Sequence, residues 1–153
     1  MAATSYNAMN RELIHAMKYR EARRAAIMMG EVLAGRFGKP DADFLVPVPL
    51  HKSSEREYNQ AELIARGAGR VWNIEVRRVL EWRASVGRQA AKESSARYLP
   101  KGIVSVRSRV PGRAFVIDDV FTSGSTVMAC SDSLLKAGIA VAGAAVWSKG
   151  GSY

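Results

Sequence analysis

The sequence predicts an α/β fold in which a mostly parallel, twisted sheet is flanked by helices. Short apolar runs typical of buried strands alternate with longer segments of helical periodicity, and glycine or proline stands in several of the breaks. Strands that are covered on both faces read as continuous apolar runs. A length of 153 residues suits one domain with a real core, so we expect a single domain over residues 1–153.

The first predicted element is helical. From Arg11 to Phe37, apolar residues recur at roughly helical spacing, which predicts one long or two shorter amphipathic helices ending near Gly38 and Pro40. The apolar residues of this pattern are Leu13, Met17, Ala25, Met28 and Val32.

A strand and a second helix follow. The run "DFLVPVPL" predicts a strand that ends at Val46 or Val48, because proline cannot donate to a central ladder. Asn59 is a candidate N-cap for a helix that buries Leu63, Ile64 and Ala68.

The second half of the chain predicts further strands around a loop and a helix. The loop, about 83–102, is polar and basic without periodicity, so we expect it to be exposed and mobile. In the helix, Val127, Cys130, Ser131 and Leu134 share one face, and Gly138 is the expected stop. The predicted strands are 74–80, 103–106, 113–118 and 140–147.

The charge and the cysteine content narrow the function classes. A formal net charge of +9 attracts nucleotides, phosphorylated sugars, nucleic acid or a membrane surface, unless it is only a solvated basic surface. The single cysteine, Cys130, excludes an internal disulfide and a cysteine-based zinc site, which fits a reducing compartment. No secretory signal is recognisable, and the apolar run 25–37 is too short to span a bilayer. We therefore expect a cytoplasmic protein without membrane contact.

The stretch "AFVIDDVFTSGST", residues 114–126, combines two acids with a hydroxylated turn before a helix. A helix N-terminus binds anions through its free N–H groups, and Gly124 allows close backbone approach, although the same turn also reads as an ordinary N-cap. Asp118 and Asp119 change the balance, because adjacent carboxylates repel unless cations or hydroxyl donors hold them. Sugar hydroxyls and Mg²⁺ supply both, so a phosphorylated ribose fits the stretch.

Other motifs for nucleotides and metals are missing from the sequence. The chain has no Gly-x-x-x-x-Gly-Lys-Ser/Thr motif, and "GAGRVW" lacks the third glycine of a dinucleotide fingerprint. His15 and His51 share no metal-ligand spacing with other residues, which argues against zinc.

"VIDDVFTSGST" closely resembles the phosphoribosyl pyrophosphate (PRPP) motif of type I phosphoribosyltransferases. "DFLVPVPLHKSSEREYNQAELIAR" resembles the ComF (competence protein F) branch, with its Pro-Val-Pro-Leu-His stretch followed by Asn-Gln-Ala and a helix. "ASVGRQAAKESSARYLPKGIVSV" is similar to the flexible-loop region of that family, and "LIHAMKYR" is similar to its N-terminal helix. The resemblance extends from about residue 9 to 148, without the N-terminal zinc ribbon of many relatives.

The resemblance implies a Mg²⁺-dependent enzyme of nucleotide or nucleoside metabolism that transfers phosphoribose from PRPP to an unidentified nitrogen acceptor and releases pyrophosphate. It implies that Asp118 and Asp119 contact the ribose hydroxyls directly or through Mg²⁺, and that Arg88 from the closing loop is the third catalytic residue. The residues implied for the 5′-phosphate are Thr122, Ser123, Gly124, Ser125 and Thr126. Those implied for pyrophosphate are Leu50, His51, Lys52, Lys92 and Arg97, beside Arg88.

Two other functions remain open. The first is a non-catalytic PRPP-binding protein with a regulatory or competence-associated role in DNA uptake. The second is nucleic-acid binding, which is less favoured because the basic residues are spread over the chain instead of forming one run. A homodimer is also possible. We expect Trp72, Trp82 and Trp147 to be packing residues, and Cys130 to lie in the core.

Overall fold

The structure, a computed structural model, describes residues 1–5, 20–51, 54, 58–83 and 102–150. The strands are β1 (Ala2–Ser5), β2 (Phe44–Pro47), β3 (Glu75–Val76), β4 (Leu80–Trp82), β5 (Val104–Val106), β6 (Arg113–Phe121) and β7 (Ala140–Lys149). The helices within the described residues are α1 (Arg20–Arg36), α2 (Gln60–Trp72) and α3 (Ser125–Lys136).

Five strands form the main sheet, in the order β1-β7-β6-β2-β3, and every neighbouring pair in it is parallel. β4 and β5 form a separate antiparallel pair. The predicted α/β fold with a mostly parallel sheet flanked by helices is confirmed. β1 was not predicted, because four small or hydroxylated residues carry little strand signal. Its position depends on pairing with β7, beside which the Met1 amino group donates to the Ala144 carbonyl at 2.8 Å.

The sheet is covered on both faces. α1 and α2 bury Leu33 and Ile64 against one face, together with Ile117 of β6. α3 covers the opposite face, where Cys130 and Leu134 are fully buried. The β4–β5 pair contributes to this second core, and the Ser133 hydroxyl of α3 donates to the Val104 carbonyl at 2.8 Å. Cys130 is therefore a core residue, as predicted.

The buried stripe of α1 is shifted by one position along the chain from the predicted stripe. Met28 and Val32 were assigned to the apolar pattern, but they are 61% and 57% exposed. The buried residues are Ala22, Ala26, Met29, Gly30, Leu33 and Ala34. Both sets have helical spacing, so periodicity cannot choose between them. The choice is made by Gly30, whose backbone lies against Ile64 of α2.

The segment 74–80 was predicted as one strand, and the structure divides it between two sheets. The Arg77 N–H donates to the Leu45 carbonyl at 2.9 Å and ends the pairing with β2, after which Val79 donates to Arg77 in a tight turn. Leu80 then pairs with Val106 of β5. Residues 84–101 of the predicted mobile loop lie outside the described residues.

Pro47 is the last residue of β2, an interior strand of the main sheet. The Val48 N–H donates to the Ile117 carbonyl of β6. Because successive backbone groups of a strand point to opposite neighbours, the Pro47 nitrogen points towards β3. β3 has already ended there, so the missing N–H of proline removes no ladder bond. This explains how a strand with a proline fits inside the sheet.

Candidate functional site

The carboxyl ends of β2 and β6 lie side by side. The two strands are neighbours in register from Phe44 opposite Ala114 to Pro47 opposite Ile117. In a parallel sheet the loops that leave neighbouring strands emerge at the same edge, which is where ligands bind in such folds. The loop after β2 carries Leu50 and His51, and the end of β6 carries the acids and the hydroxylated turn.

The turn before α3 presents the backbone of a helix N-terminus. Gly124 occupies the N-cap position with φ 77° and ψ −1°, and no side-chain cap hydrogen bond forms there. The Ser123 and Ser125 hydroxyls are 2.9 Å apart, and Thr122 and Ser123 are exposed. The N-cap is thus Gly124 itself, and the Ser123 hydroxyl accepts a hydrogen bond from the Ser125 N–H at 3.4 Å. The first turn of α3 also lacks an acidic residue, so its positive dipole end is not offset locally.

The Phe121 ring packs against this turn at Gly124. A Cβ atom added to Gly124 would lie 2.5 Å from the Phe121 Cζ, so a larger residue fits only if the ring moves. The Phe121 carbonyl accepts a hydrogen bond from the Gly150 N–H at 2.8 Å, which ties the end of β6 to the residue after β7. No role was predicted for Phe121, because a single aromatic residue before a turn carries no specific signal.

Asp118 and Asp119 both belong to β6, so their side chains leave the strand in opposite directions. Asp118 is 7% exposed and lies on the α3 side, and its Oδ1 accepts a hydrogen bond from the Asp119 N–H at 2.8 Å. The Asp119 Oδ1 accepts from the Val120 N–H at 2.8 Å. Strand alternation thus reduces the repulsion expected between adjacent acids.

Asp118 also affects the pKa of the buried Cys130 thiol of α3. Burial raises the pKa of the Cys130 thiol far above its ordinary value of 9.0, and the negative charge of Asp118 raises it further. The thiol is therefore neutral and inert in the folded protein.

The loop after β2 is held by side chains of other elements. The Trp82 Nε1–H donates to the Pro49 carbonyl at 2.6 Å, and the Trp82 ring meets His51 edge-on with centroids 5.1 Å apart. Asn59 occupies the N-cap position of α2 as predicted, but its side chain does not cap the helix. Its Nδ2 donates instead to the Val48 carbonyl at 2.8 Å.

Several predicted site residues are brought together, and others are not described. Asp118, Asp119, the turn 122–126, Leu50 and His51 lie at one edge of the sheet. Lys52, Arg88, Lys92 and Arg97 lie outside the described residues. Within the described ranges, no group of three or more His, Cys, Asp or Glu side chains could hold a metal ion. Nor does any helix in that part of the chain have the length and apolarity to cross a membrane.

The chain was compared with known families, sequences and structures. No family model and no curated protein matches it. The solved structure of the allosteric regulatory enzyme of purine biosynthesis is similar, with a TM-score of 0.54 and 20% identity over 83% of this chain. This chain spans 26% of the length of that enzyme. The AQ2163 protein from Aquifex aeolicus is also similar, with a TM-score of 0.51, 11% identity, and coverage of 97% of this chain and 87% of its own.

At these identities the similarity concerns the fold. The purine-biosynthesis enzyme has the type I phosphoribosyltransferase fold. The chain described here has that fold as well.

Proposed function

We propose that the protein is a Mg²⁺-dependent phosphoribosyltransferase that binds PRPP and transfers its phosphoribose to a nitrogen acceptor. One observation carries the proposal. On a type I phosphoribosyltransferase fold, an acid pair and a glycine-capped helix N-terminus follow β6, directly beside the loop that follows β2. A ligand with a sugar, a phosphate at one end and a pyrophosphate at the other matches this order of groups.

The 5′-phosphate binds at the turn 122–126. The N–H groups of the first turn of α3 and the hydroxyls of Ser123 and Ser125 are donors suited to a dianion. Because Gly124 has no side chain, the phosphate can approach the backbone closely. The ribose lies across the end of β6, so that Asp118 reaches its 2′- and 3′-hydroxyls from the α3 side and Asp119 from the opposite face, directly or through Mg²⁺.

The pyrophosphate binds beside the loop after β2. The backbone of Leu50 and His51 faces it in this arrangement, and Lys52, Arg88, Lys92 and Arg97 supply positive charge from outside the described residues. Trp82 and Asn59 hold the loop through their bonds to Pro49 and Val48, so the loop needs little reorganisation when the ligand binds.

The acid pair also fits a magnesium ion. Mg²⁺ is usually held by one or two carboxylates together with substrate phosphates and water, instead of by a cage of protein ligands. Asp118 and Asp119 each offer one such carboxylate at this edge, from opposite faces of β6. When bound, the ion would neutralise charge that develops on the departing pyrophosphate.

The protein itself contributes positioning and charge. Breaking the bond between the anomeric carbon and pyrophosphate creates positive charge on the sugar and negative charge on the leaving group. The proposal assigns the carboxylates of Asp118 and Asp119 to the sugar, and the basic residues Lys52, Arg88, Lys92 and Arg97 to the leaving group. Closure of the loop 83–102 then excludes water, so that the nitrogen acceptor, and not water, attacks the sugar.

The ComF branch is the part of this superfamily that the proposal favours. Its support is the sequence around β2 and α2, with Pro-Val-Pro-Leu-His followed by Asn-Gln-Ala. This branch, a role in nucleoside metabolism and a cytoplasmic location are parts of the proposal.

Thermal unfolding with PRPP plus Mg²⁺, PRPP alone and sulfate tests the ligand site. A ligand at about 100 times its Kd adds about 2.7 kcal/mol of stability. We expect that gain for PRPP plus Mg²⁺ in the wild type and in Asp132→Asn, a matched variant with an exposed acid on α3, and its loss in Asp119→Asn. A gain no larger than that with sulfate, or an unchanged response in Asp119→Asn, would refute the assignment.

Release of pyrophosphate tests the catalytic part separately. PRPP and Mg²⁺ are incubated with the protein and a panel of bases, ammonia and amines. We expect release that depends on at least one acceptor and on Asp119. Tight PRPP binding without release for any acceptor would favour the non-catalytic, regulatory alternative.

A further inference from the structure

A groove with unusual polar lining opens at the N-terminal end of α2. Two cavities of about 380 Å³ and about 330 Å³ adjoin there, and both are lined by Leu50, Asn59, Glu62 and Arg78. Ligand pockets generally have volumes of about 300–1,000 Å³, so the groove has the size for a small molecule. None of the residues predicted to bind the sugar or the 5′-phosphate lines either cavity.

Glu62 organises positive charge in this groove. Its side chain is only 12% exposed, and its Oε1 accepts contacts from Arg66 at 2.6 Å and Arg78 at 2.5 Å. Both arginine side chains are more than half exposed. Each guanidinium has five N–H donors and meets Glu62 through one nitrogen, so donors remain for an anion. The nearly buried carboxylate thus holds two arginines at the rim.

The charge of the lining favours an anion. Arg23 lines the second cavity and Arg107 the first, so four arginines stand against two glutamates, Glu62 and Glu81. Arg107 contacts Glu81 at 3.5 Å, and both side chains are about half exposed. Because such exposed pairs contribute little stability, Arg107 can exchange Glu81 for a stronger acceptor at small cost.

Aromatic rings supply flat surfaces in both cavities. Trp82 lines the first, with its Nε1–H committed to the Pro49 carbonyl, so the orientation of the indole is held. Tyr58 lines the second, and the Arg23 guanidinium lies over its ring at 5.1 Å. Prolines 47 and 49 complete an apolar wall in the first cavity. Rings and guanidinium groups together are suited to a planar aromatic group that carries an anion.

We infer that this groove is a second binding site, for a small planar aromatic molecule that carries a phosphate or carboxylate group. The ring lies against Trp82 and the proline wall. The anion lies beside Arg78, and its second arginine is either Arg23 or Arg107. This site goes beyond the proposed function, and ligand binding in the groove does not depend on PRPP binding. It adjoins the loop after β2 through Leu50, so its ligand lies beside the predicted pyrophosphate site.

Calorimetric titration of the whole chain, without PRPP or Mg²⁺, tests the inference. The probes are adenosine 3′-monophosphate and naphthalene-2-carboxylate, which differ in the source of the negative charge and carry no 5′-phosphate. Adenosine and inorganic phosphate each supply one half of the recognised chemistry. We expect at least one ring-bearing anion to bind at least tenfold more tightly than either half.

Matched arginine variants locate the binding. Arg23→Gln and Arg78→Gln remove groove arginines, whereas Arg24→Gln and Arg77→Gln remove their chain neighbours, which do not line either cavity. We expect the affinity to fall at least fivefold in the first pair and to stay within twofold in the second. Melting curves of all four variants check folding.

Two outcomes would overturn the inference. One is the lack of tighter binding for both ring-bearing anions, and the other is an equal effect of groove and neighbouring arginines. Asp119→Asn separates this site from the proposed PRPP site. Groove binding should persist in that variant, so a failure of the PRPP proposal and a failure of the groove are observed independently.

Discussion

The crossing of α1 and α2 and the turn before α3 both depend on glycine, but for different physical reasons. At the crossing, a Cβ atom on Gly67 would lie 2.0 Å from the Ile27 carbonyl oxygen, and one on Gly30 would lie 2.0 Å from the Ile64 carbonyl oxygen. These obstacles are backbone atoms of helices. A larger residue could therefore fit only if the two helices moved apart.

At the turn, the obstacle is a side chain. A Cβ atom on Gly124 would meet the Phe121 ring, which can rotate, while the φ of 77° adds a modest backbone cost. The helix crossing thus acts mainly on stability, whereas the turn shapes the phosphate site that we propose. Substitutions at the two places should therefore separate folding from binding.

The largest expected effect is that of Gly67→Ala. The methyl group must separate α1 from α2, and we expect the free energy of unfolding to fall by about 3 kcal/mol or more. Urea unfolding followed by circular dichroism measures this. The control is Gly35→Ala in α1, where nothing lies within 4 Å, and where alanine should stabilise the helix by about 0.5–1 kcal/mol. Equal effects at both positions would show that the crossing is not tight.

Gly124→Ala comes next and should act mainly on binding. We expect the free energy of unfolding to fall by about 1–2 kcal/mol. We also expect PRPP plus Mg²⁺ no longer to add its stabilisation of about 2.7 kcal/mol. Gly138→Ala is matched, since its φ is 79° and nothing lies within 4 Å, so it should keep the ligand response. Adding Phe121→Leu to Gly124→Ala should restore part of the stability. Full ligand response in Gly124→Ala would contradict the role of the turn.

The pH dependence of the unfolding free energy tests the burial of Cys130 in the core beneath α3. Because the pKa of the Cys130 thiol is raised in the folded protein, the thiol stays protonated there, whereas the unfolded chain loses the proton above about pH 9. The stability that depends on this thiol is present below pH 9 and decreases as the pH rises. Between pH 8 and 10 we expect the wild type to lose about 1.4 kcal/mol more than Cys130→Ala. Parallel losses would mean that the thiol titrates normally.

The smallest expected effect concerns the loop after β2, which is held by side chains instead of by glycine contacts. Asn59→Ala removes the hydrogen bond to the Val48 carbonyl, and we expect a loss of about 1 kcal/mol. Urea unfolding again provides the measurement. An unchanged free energy of unfolding would show that water replaces the bond at no cost, and that Trp82 alone holds the loop.

The sequence predicted the elements where its signals were local and strong. β6 and α3 are found where "RAFVID" and "TVMACSDSLLKAG" predicted them, with Cys130 and Leu134 buried. Continuous apolar runs mark strands that are covered on both faces. The division of 74–80 between two sheets was not predictable, because it depends on which partner strand each residue meets.

The candidate site was predictable to a similar degree. The motif 118–126 has its chemical groups in consecutive residues, so the sequence alone indicated an anion site next to two acids. The groove was not indicated, because Arg23, Glu62 and Arg78 come from separate parts of the chain. Its cavities exist only when α1, α2 and the segment after β3 are packed together.

The sequence by itself determined the alternation of strands and helices and the chemistry of residues 118–126, because both depend on neighbouring residues. Tertiary structure decided the rest. It selected the buried stripe of α1 through the contact of Gly30 with α2, and it placed Asp118 and Asp119 in a strand where alternation separates their charges. It also directed the Asn59 side-chain N–H to the Val48 carbonyl, while no side-chain bond caps α2. Each of these outcomes depends on a partner that is distant in the chain.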